Sequence, residues 1–160
     1  MPHPGKAFGL EYHSGPKVVR KGNLVAANAA IGIGDALTLT STGEVDRTAA
    51  GDVQIYGVAT EQKGASDGGD IECILTLPGM EWLIRADGVI NRTHVGNLAD
   101  LIVAARDANT LRSNMQLDSA APGAATAQLK IIDIWKQIDN DFGDATPVLL
   151  VSIQESFHGA

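Results

Sequence analysis

QIYGVATEQKGASDGGDIECILTLPG, residues 54–79, holds two seven-residue apolar runs separated by a polar, glycine-rich stretch. QIYGVAT (Gln54 to Thr60) is rich in β-branched and aromatic residues, and Gly57 inside it predicts a bulge or a close backbone approach. Gly64 to Asp70 is turn-forming sequence, since Gly, Ser and Asp supply the positive φ and local hydrogen bonds a reversal needs. IECILTL (Ile71 to Leu77) is the most apolar strand of this half, and Pro78-Gly79 ends it. Strand, turn, strand and a sharp stop within 26 residues is the pattern of an antiparallel β fold.

The same pattern extends outward. EWLIRAD (Glu81 to Asp87) adds a strand closed by Gly88. ALTLT (Ala36 to Thr40) alternates with Leu37 and Leu39 on one face, Ser41-Thr42-Gly43 turns, and Glu44-Val45-Asp46 returns. Val18, Val19, Leu24 and Val25 read as two short runs around Gly22-Asn23, a turn dipeptide. The second half echoes the first in five features. HVGNLADLIV (His94 to Val103) parallels GIGDALTLT, and a small-residue stretch follows in each half, Thr48-Ala49-Ala50-Gly51 and Ser119 to Ala125. LKIIDIWKQI parallels QIYGVAT, Asp141-Phe142-Gly143-Asp144 parallels Asp67-Gly68-Gly69-Asp70, and PVLLVSIQ parallels IECILTL. The echo predicts two similar β-units, residues 18–90 and 91–160, related by pseudo-symmetry in one barrel. LKIIDIWKQI also has helical spacing at Leu129, Ile132, Trp135 and Ile138, although its β-branched content favours a strand.

Composition agrees with one β-rich domain over residues 18–160. The chain has 160 residues, 44% hydrophobic but only 4% aromatic, with 18 glycines punctuating short apolar runs. No apolar stretch approaches the roughly 18–20 residues that span a bilayer. MPHPGKAFGL lacks a charged-then-apolar leader, so a soluble, cytoplasmically made chain with no membrane partner is expected. The single cysteine, Cys73, excludes an internal disulfide and reads as a small buried apolar residue.

Residues 1–17 form a distinct segment, an expected extended arm. Its first sixteen residues hold three prolines and three glycines, together with the alternating apolar residues Phe8, Leu10 and Tyr12. Such a segment orders on a partner, giving side chains to pockets and backbone to a sheet edge, or folds back on its own body. Lys6, Lys17, Arg20 and Lys21 against Glu11 give residues 1–21 a net +3 within a chain of −7, so the remainder carries −10. An acidic body is a poor nucleic-acid binder, since phosphate contacts need clustered Lys and Arg. A basic arm on an acidic body suits docking on another acidic protein surface.

Catalytic and metal patterns find little. His3, His13, His94 and His158 stand at no metal-ligand spacing, and no nucleophile elbow accompanies His94. Gly32-Ile33-Gly34 precedes a strand, whereas a dinucleotide site needs a helix N-terminus there. Asp139 to Asp144 invites a weak cation site, but Gly143 takes a ligand position and Leu150 the place of the late bidentate Glu, so a hairpin turn is the better reading. Asn91-Arg92-Thr93 matches a glycosylation acceptor that a cytoplasmic chain would not use. Trp82 and Trp135 lie in apolar strands and read as core or interface anchors. The expectation is a non-enzymatic protein with no metal and no cofactor.

Lys21-Gly22-Asn23, Thr42-Gly43-Glu44-Val45, Ile55-Tyr56-Gly57-Val58-Ala59 and Gly68-Gly69-Asp70-Ile71, in this order, resemble the decoration (cement) proteins of tailed-bacteriophage capsids. The resemblance covers about residues 18–80 and consists of turn and strand signals. It implies a β-barrel or β-tulip body, usually a homotrimer, seated on the capsid exterior between major capsid proteins and holding the expanded shell. It also implies an N-terminal arm reaching a coat subunit or a neighbouring copy, which makes Lys6, Phe8, Leu10, Tyr12, Lys17, Arg20 and Lys21 the candidate contacts. Two other classes fit the composition: another virion component, such as a head-fibre or tail module, and a carbohydrate- or cell-surface-binding β module.

Overall fold

The hydrophobic alternation resolves into twelve short strands in a computed structural model, which describes residues 6–26, 30–49, 54–120, 122–123 and 127–154. His3, His158, the arm's first five residues and parts of both small-residue stretches lie outside the described residues. Among the described residues there is no α-helix, only a 3-10 turn at Arg92–His94. The fold is mainly β, as expected.

The first sheet is built from β2 (Val19–Leu24), β3 (Ala36–Leu39), β4 (Val45–Arg47), β5 (Gly57–Ala59) and β6 (Asp70–Leu75), in the order β2-β6-β5-β3-β4. The second joins β1 (Glu11–Ser14), β7 (Glu81–Arg85), β8 (Leu98–Ala99), β11 (Leu129–Ile134) and β12 (Val148–Ile153), in the order β1-β7-β12-β11-β8. A hairpin of β9 (Leu101–Ile102) and β10 (Gln116–Leu117) continues from β8. All ladders are antiparallel.

Without β1, the four strands of the second sheet repeat the order of four in the first. β7, β12, β11 and β8 stand in the second as β2, β6, β5 and β3 stand in the first. The likeness reaches individual bonds. Gly34 N donates to Ala59 O and Ala59 N to Asp35 O; Gly96 N donates to Ile131 O and Ile131 N to Asn97 O. Val25 meets Val45 in a parallel bridge, as Ala86 meets Leu117, and each bridge is followed by a donor, Ala26 N to Val45 O and Asp87 N to Leu117 O. The five-feature echo in the sequence therefore marks a repeated unit. Its boundary needs correcting: β7 opens the second unit, because its register pairs it with β12 and β1. The expectation of one shared barrel is also revised. Each unit curls on itself through a single parallel bridge, giving two small packed sheets.

Two other local readings change. Gly22-Asn23 does not turn the chain. Gly22 (φ +74°) makes a bulge inside a single β2, with the register shifting between Arg20 and Asn23. The buried Asn23 amide then donates to Arg20 O and Ile71 O, both at 2.9 Å, and Tyr56 OH donates to its Oδ1 at 3.1 Å. LKIIDIWKQI is a strand over its first six residues, with Leu129 and Ile131 buried and Lys130 exposed between them; Ile138, which a helical face would bury, is exposed. Gly57 is the predicted close approach: a Cβ there would lie 2.9 Å from both Cys73 Sγ and Ile74 O.

Three apolar layers hold the fold. Val25, Leu37, Tyr56, Ile71 and Cys73 fill the first unit. Val58 and Ile74, on that unit's outer face, join Trp82, Ile84, Leu129 and Leu149 of the second unit in the largest cluster. Phe8, Leu83 and Val148 cover the far face of the second sheet. Of the two readings of the arm, residues 6–17 take the second and fold back. Phe8 (4% exposed) and Leu10 (2%) are buried, and β1 pairs with β7 through Tyr12↔Trp82.

Candidate functional site

The seven candidate contacts divide into two groups. Phe8 and Leu10 are buried within the chain, and Lys6 is held there through its backbone, with its side chain exposed: Lys6 O accepts from Arg85 Nε at 2.9 Å, and the Arg85 guanidinium lies 6.0 Å from the Phe8 ring centre. The apolar contacts once expected to hold a partner are therefore used internally by Phe8 and Leu10. This corrects their assignment: Phe8 covers the apolar far face of the second sheet, and Leu10 packs into the cluster that joins the two units.

Tyr12, Lys17, Arg20 and Lys21 stay at the surface, along β1 and β2. Tyr12 packs edge-on against Trp82, with ring centres 6.1 Å apart at 86°, and its hydroxyl donates to Gly15 O at 2.6 Å. Lys17 Nζ sits 5.1 Å above the Tyr12 ring, a cation–π contact. Lys21 Nζ is 3.6 Å from Glu72, but its side chain is 82% exposed, so the pair adds little stability and leaves the charge available. Arg20 is exposed next to the Tyr56 hydroxyl and Cys73.

Between the two units runs a half-open groove of about 380 Å³. Val58, Thr60 and Ile74 of the first unit form one wall; Trp82 and the arm residues Glu11 and Tyr12 form the other, with Lys17 and Arg112 contributing cations. Ile74 is the register partner of Val19, so the wall continues onto β2. There Val18 and Val19 are 45% and 44% exposed. Sequence reading places these two valines in a short strand-like run and leaves their exposure open. The signal for their exposure is the set of charges around them, since lysines and arginines flanking apolar residues are how natural edge strands are guarded.

His94, Cys73 and the Asp139–Asp144 segment do not line the groove. His94 Nδ1 accepts from Asn91 N at 3.2 Å and so shapes the 3-10 turn. Asp35 is fully buried, and its Oδ2 accepts from Gly32 N at 2.7 Å, which fixes the turn into β3. Burial pushes its carboxyl above the usual range, against the pull of the Gly32 amide, Ser113, Arg47 and Arg106. Cys73 is buried, and burial pushes its thiol up to about 11, where no useful thiolate forms at neutral pH. The Asp139–Asp144 segment is a turn: Asp144 Oδ2 accepts from Asp141 N at 2.7 Å, and the Asn140 side chain bonds Val148 N at 2.8 Å and Val148 O at 2.9 Å. Among the described residues no group of three or more His, Cys, Asp or Glu is placed to hold a metal ion, and no helix is long and apolar enough to cross a membrane.

The arrangement can present a groove of mixed polar and apolar lining and a basic β edge to another polypeptide. Comparison with protein-family models, with curated proteins and with solved structures gives no significant match.

Proposed function

We propose that this chain is a structural virion protein that binds the exterior of a phage capsid and stabilises the expanded shell. The observation that carries this reading is the exposed basic strip Lys17–Lys21 bordering a groove of mixed polar and apolar lining, on a body whose remaining residues carry −10. The motif run at residues 18–80 that resembles decoration proteins supports it from the sequence side. The partners are the major capsid protein and further copies of the chain, as a homotrimer. Nucleic acid, membrane and cofactors have no part in the mechanism. Each copy holds several subunits through modest contacts, and symmetry multiplies these into avidity without one strong site. A carbohydrate-binding reading would want exposed aromatic rings, whereas Trp82 is 1% exposed and the Tyr12 ring lies between Trp82 and Lys17.

Sedimentation with purified expanded cognate shells tests the reading. The native chain is expected to pellet saturably, and more weakly as salt rises. The variant Lys17→Glu/Arg20→Glu/Lys21→Glu should lose at least about tenfold in affinity, because it reverses the sign of the strip. All three side chains are exposed, so its melting temperature should stay close to native. A native chain that stays in the supernatant at every salt concentration overturns the proposal.

A further inference from the structure

The repeated unit exposes a difference between its two copies. In the second unit, the outer edge of β7 is covered at its first three residues and just past its end: β1 pairs with Glu81 to Leu83, and Leu117 of β10 bridges Ala86. In the first unit, among the described residues, the corresponding edge of β2 is covered only past its end, where Val45 bridges Val25. Among the described residues, no strand takes on β2, next to Val19 to Gly22, the position that β1 occupies on β7. Val18 O accepts from Leu75 N at 2.9 Å, so residue 18 faces β6, and by antiparallel alternation the N–H and C=O of Val19 face away from it. These groups and two half-exposed valines form an open sheet edge, the element that another strand completes.

We propose that this edge of β2 accepts an extended, acidic segment of another polypeptide as an added strand, in the way that β7 accepts β1. The internal precedent supplies geometry and chemistry together, since β1 is an antiparallel strand carrying Glu11 opposite Leu83. Charge selects the occupant. Lys17, Arg20 and Lys21 flank the edge, so an incoming strand with carboxylates beside apolar residues gains cross-strand ion pairs and covers Val18 and Val19. A second copy presenting its own β2 would set these three cations against their equals, which is unfavourable. The inference rests on the capsid-binding reading only for the partner's identity; the edge accepts a strand whatever protein supplies it.

The probe is a synthetic octapeptide of alternating Val and Glu, with a Val/Lys peptide as control, followed by amide NMR and hydrogen exchange on the full chain. The Val/Glu peptide is expected to shift and protect the amides of Val19 and Lys21, and to bind at least about tenfold more tightly than the Val/Lys control. Val19→Pro removes the outward donor while leaving the bonds to β6, because proline is tolerated where a strand N–H faces solvent; it should abolish protection and leave the melting curve near native. Lys21→Glu, which leaves the backbone untouched, should weaken binding several-fold. Equal binding of the two peptides, unchanged binding by Val19→Pro, or concentration-dependent self-association through β2 overturns the inference. Peptide capture without shell binding would retire the capsid reading and leave the edge assignment standing. Shell binding without peptide protection would do the reverse.

Discussion

Gly9→Ala is expected to lower the melting temperature by on the order of 10 °C. Gly9 has φ +75° and lies where the arm crosses the start of β3 and the segment before β10. An added Cβ there would penetrate Gly34 O and Ser113 Cβ. Neither can move freely: Gly34 O accepts from Leu10 N at 2.9 Å, and Ser113 is fully buried with its amide bonded to Ile33 O. Positive φ costs an L side chain about 1–2 kcal/mol, and overpacking a dense interior adds about 1–3 kcal/mol. Gly79→Ala separates the two contributions, since Gly79 has a similar φ of +81° and nothing within 4 Å of its Cβ position. Differential scanning calorimetry of both variants should show the Gly9 change costing at least twice as much. Equal losses would mean that the crossing is looser than described.

Trp82→Ala should destabilise by about 3–5 kcal/mol, the range for truncating a buried indole. Trp82 is 1% exposed and sits in the cluster joining the two units. Its β7 position pairs with Val151 of β12 on one side and Tyr12 of β1 on the other. Its loss therefore removes both the packing between units and the ring against which Tyr12 rests. Denaturant titration should show the lower midpoint, and hydrogen exchange should show β1 losing protection before the rest of the second sheet. Trp82→Phe keeps most of the buried surface and should recover more than half of the loss. If Phe and Ala prove equal, Trp82 is not the joint.

The strands most legible in the sequence are those whose side chains alternate over a turn they control, such as ALTLT before Ser41-Thr42-Gly43. The repeat was legible because the order of glycine turns and apolar runs survives where residue identity does not. Its boundary was not, because EWLIRAD is an equally good strand in either sheet and only its pairing with β12 decides. Strands β8, β9 and β10 are two residues each, too short for any periodicity to show. Gly22-Asn23 misled because the residues that favour a turn also favour a bulge, and the choice lies with β6, which binds the Asn23 amide. The candidate site divided for a related reason. Alternation at Phe8, Leu10 and Tyr12 shows that these residues pack on something, but the identity of that surface is a tertiary fact. The edge character of Val18 and Val19 is likewise a property of the assembled sheet. Removing residues 1–16, which would test a free docking arm, strips β1, Phe8 and Leu10 from the fold. It thus tests stability more than binding, and point changes on β2 are the sharper instrument.

The most direct measurement of the central claim is electron cryo-microscopy of cognate phage shells, expanded and unexpanded, incubated with the native chain. The account predicts added density on the outer surface of expanded shells alone, seated between coat subunits, with the Lys17–Lys21 edge of β2 against the coat. Density at the tail or portal, or shells left bare at saturating protein, would contradict it.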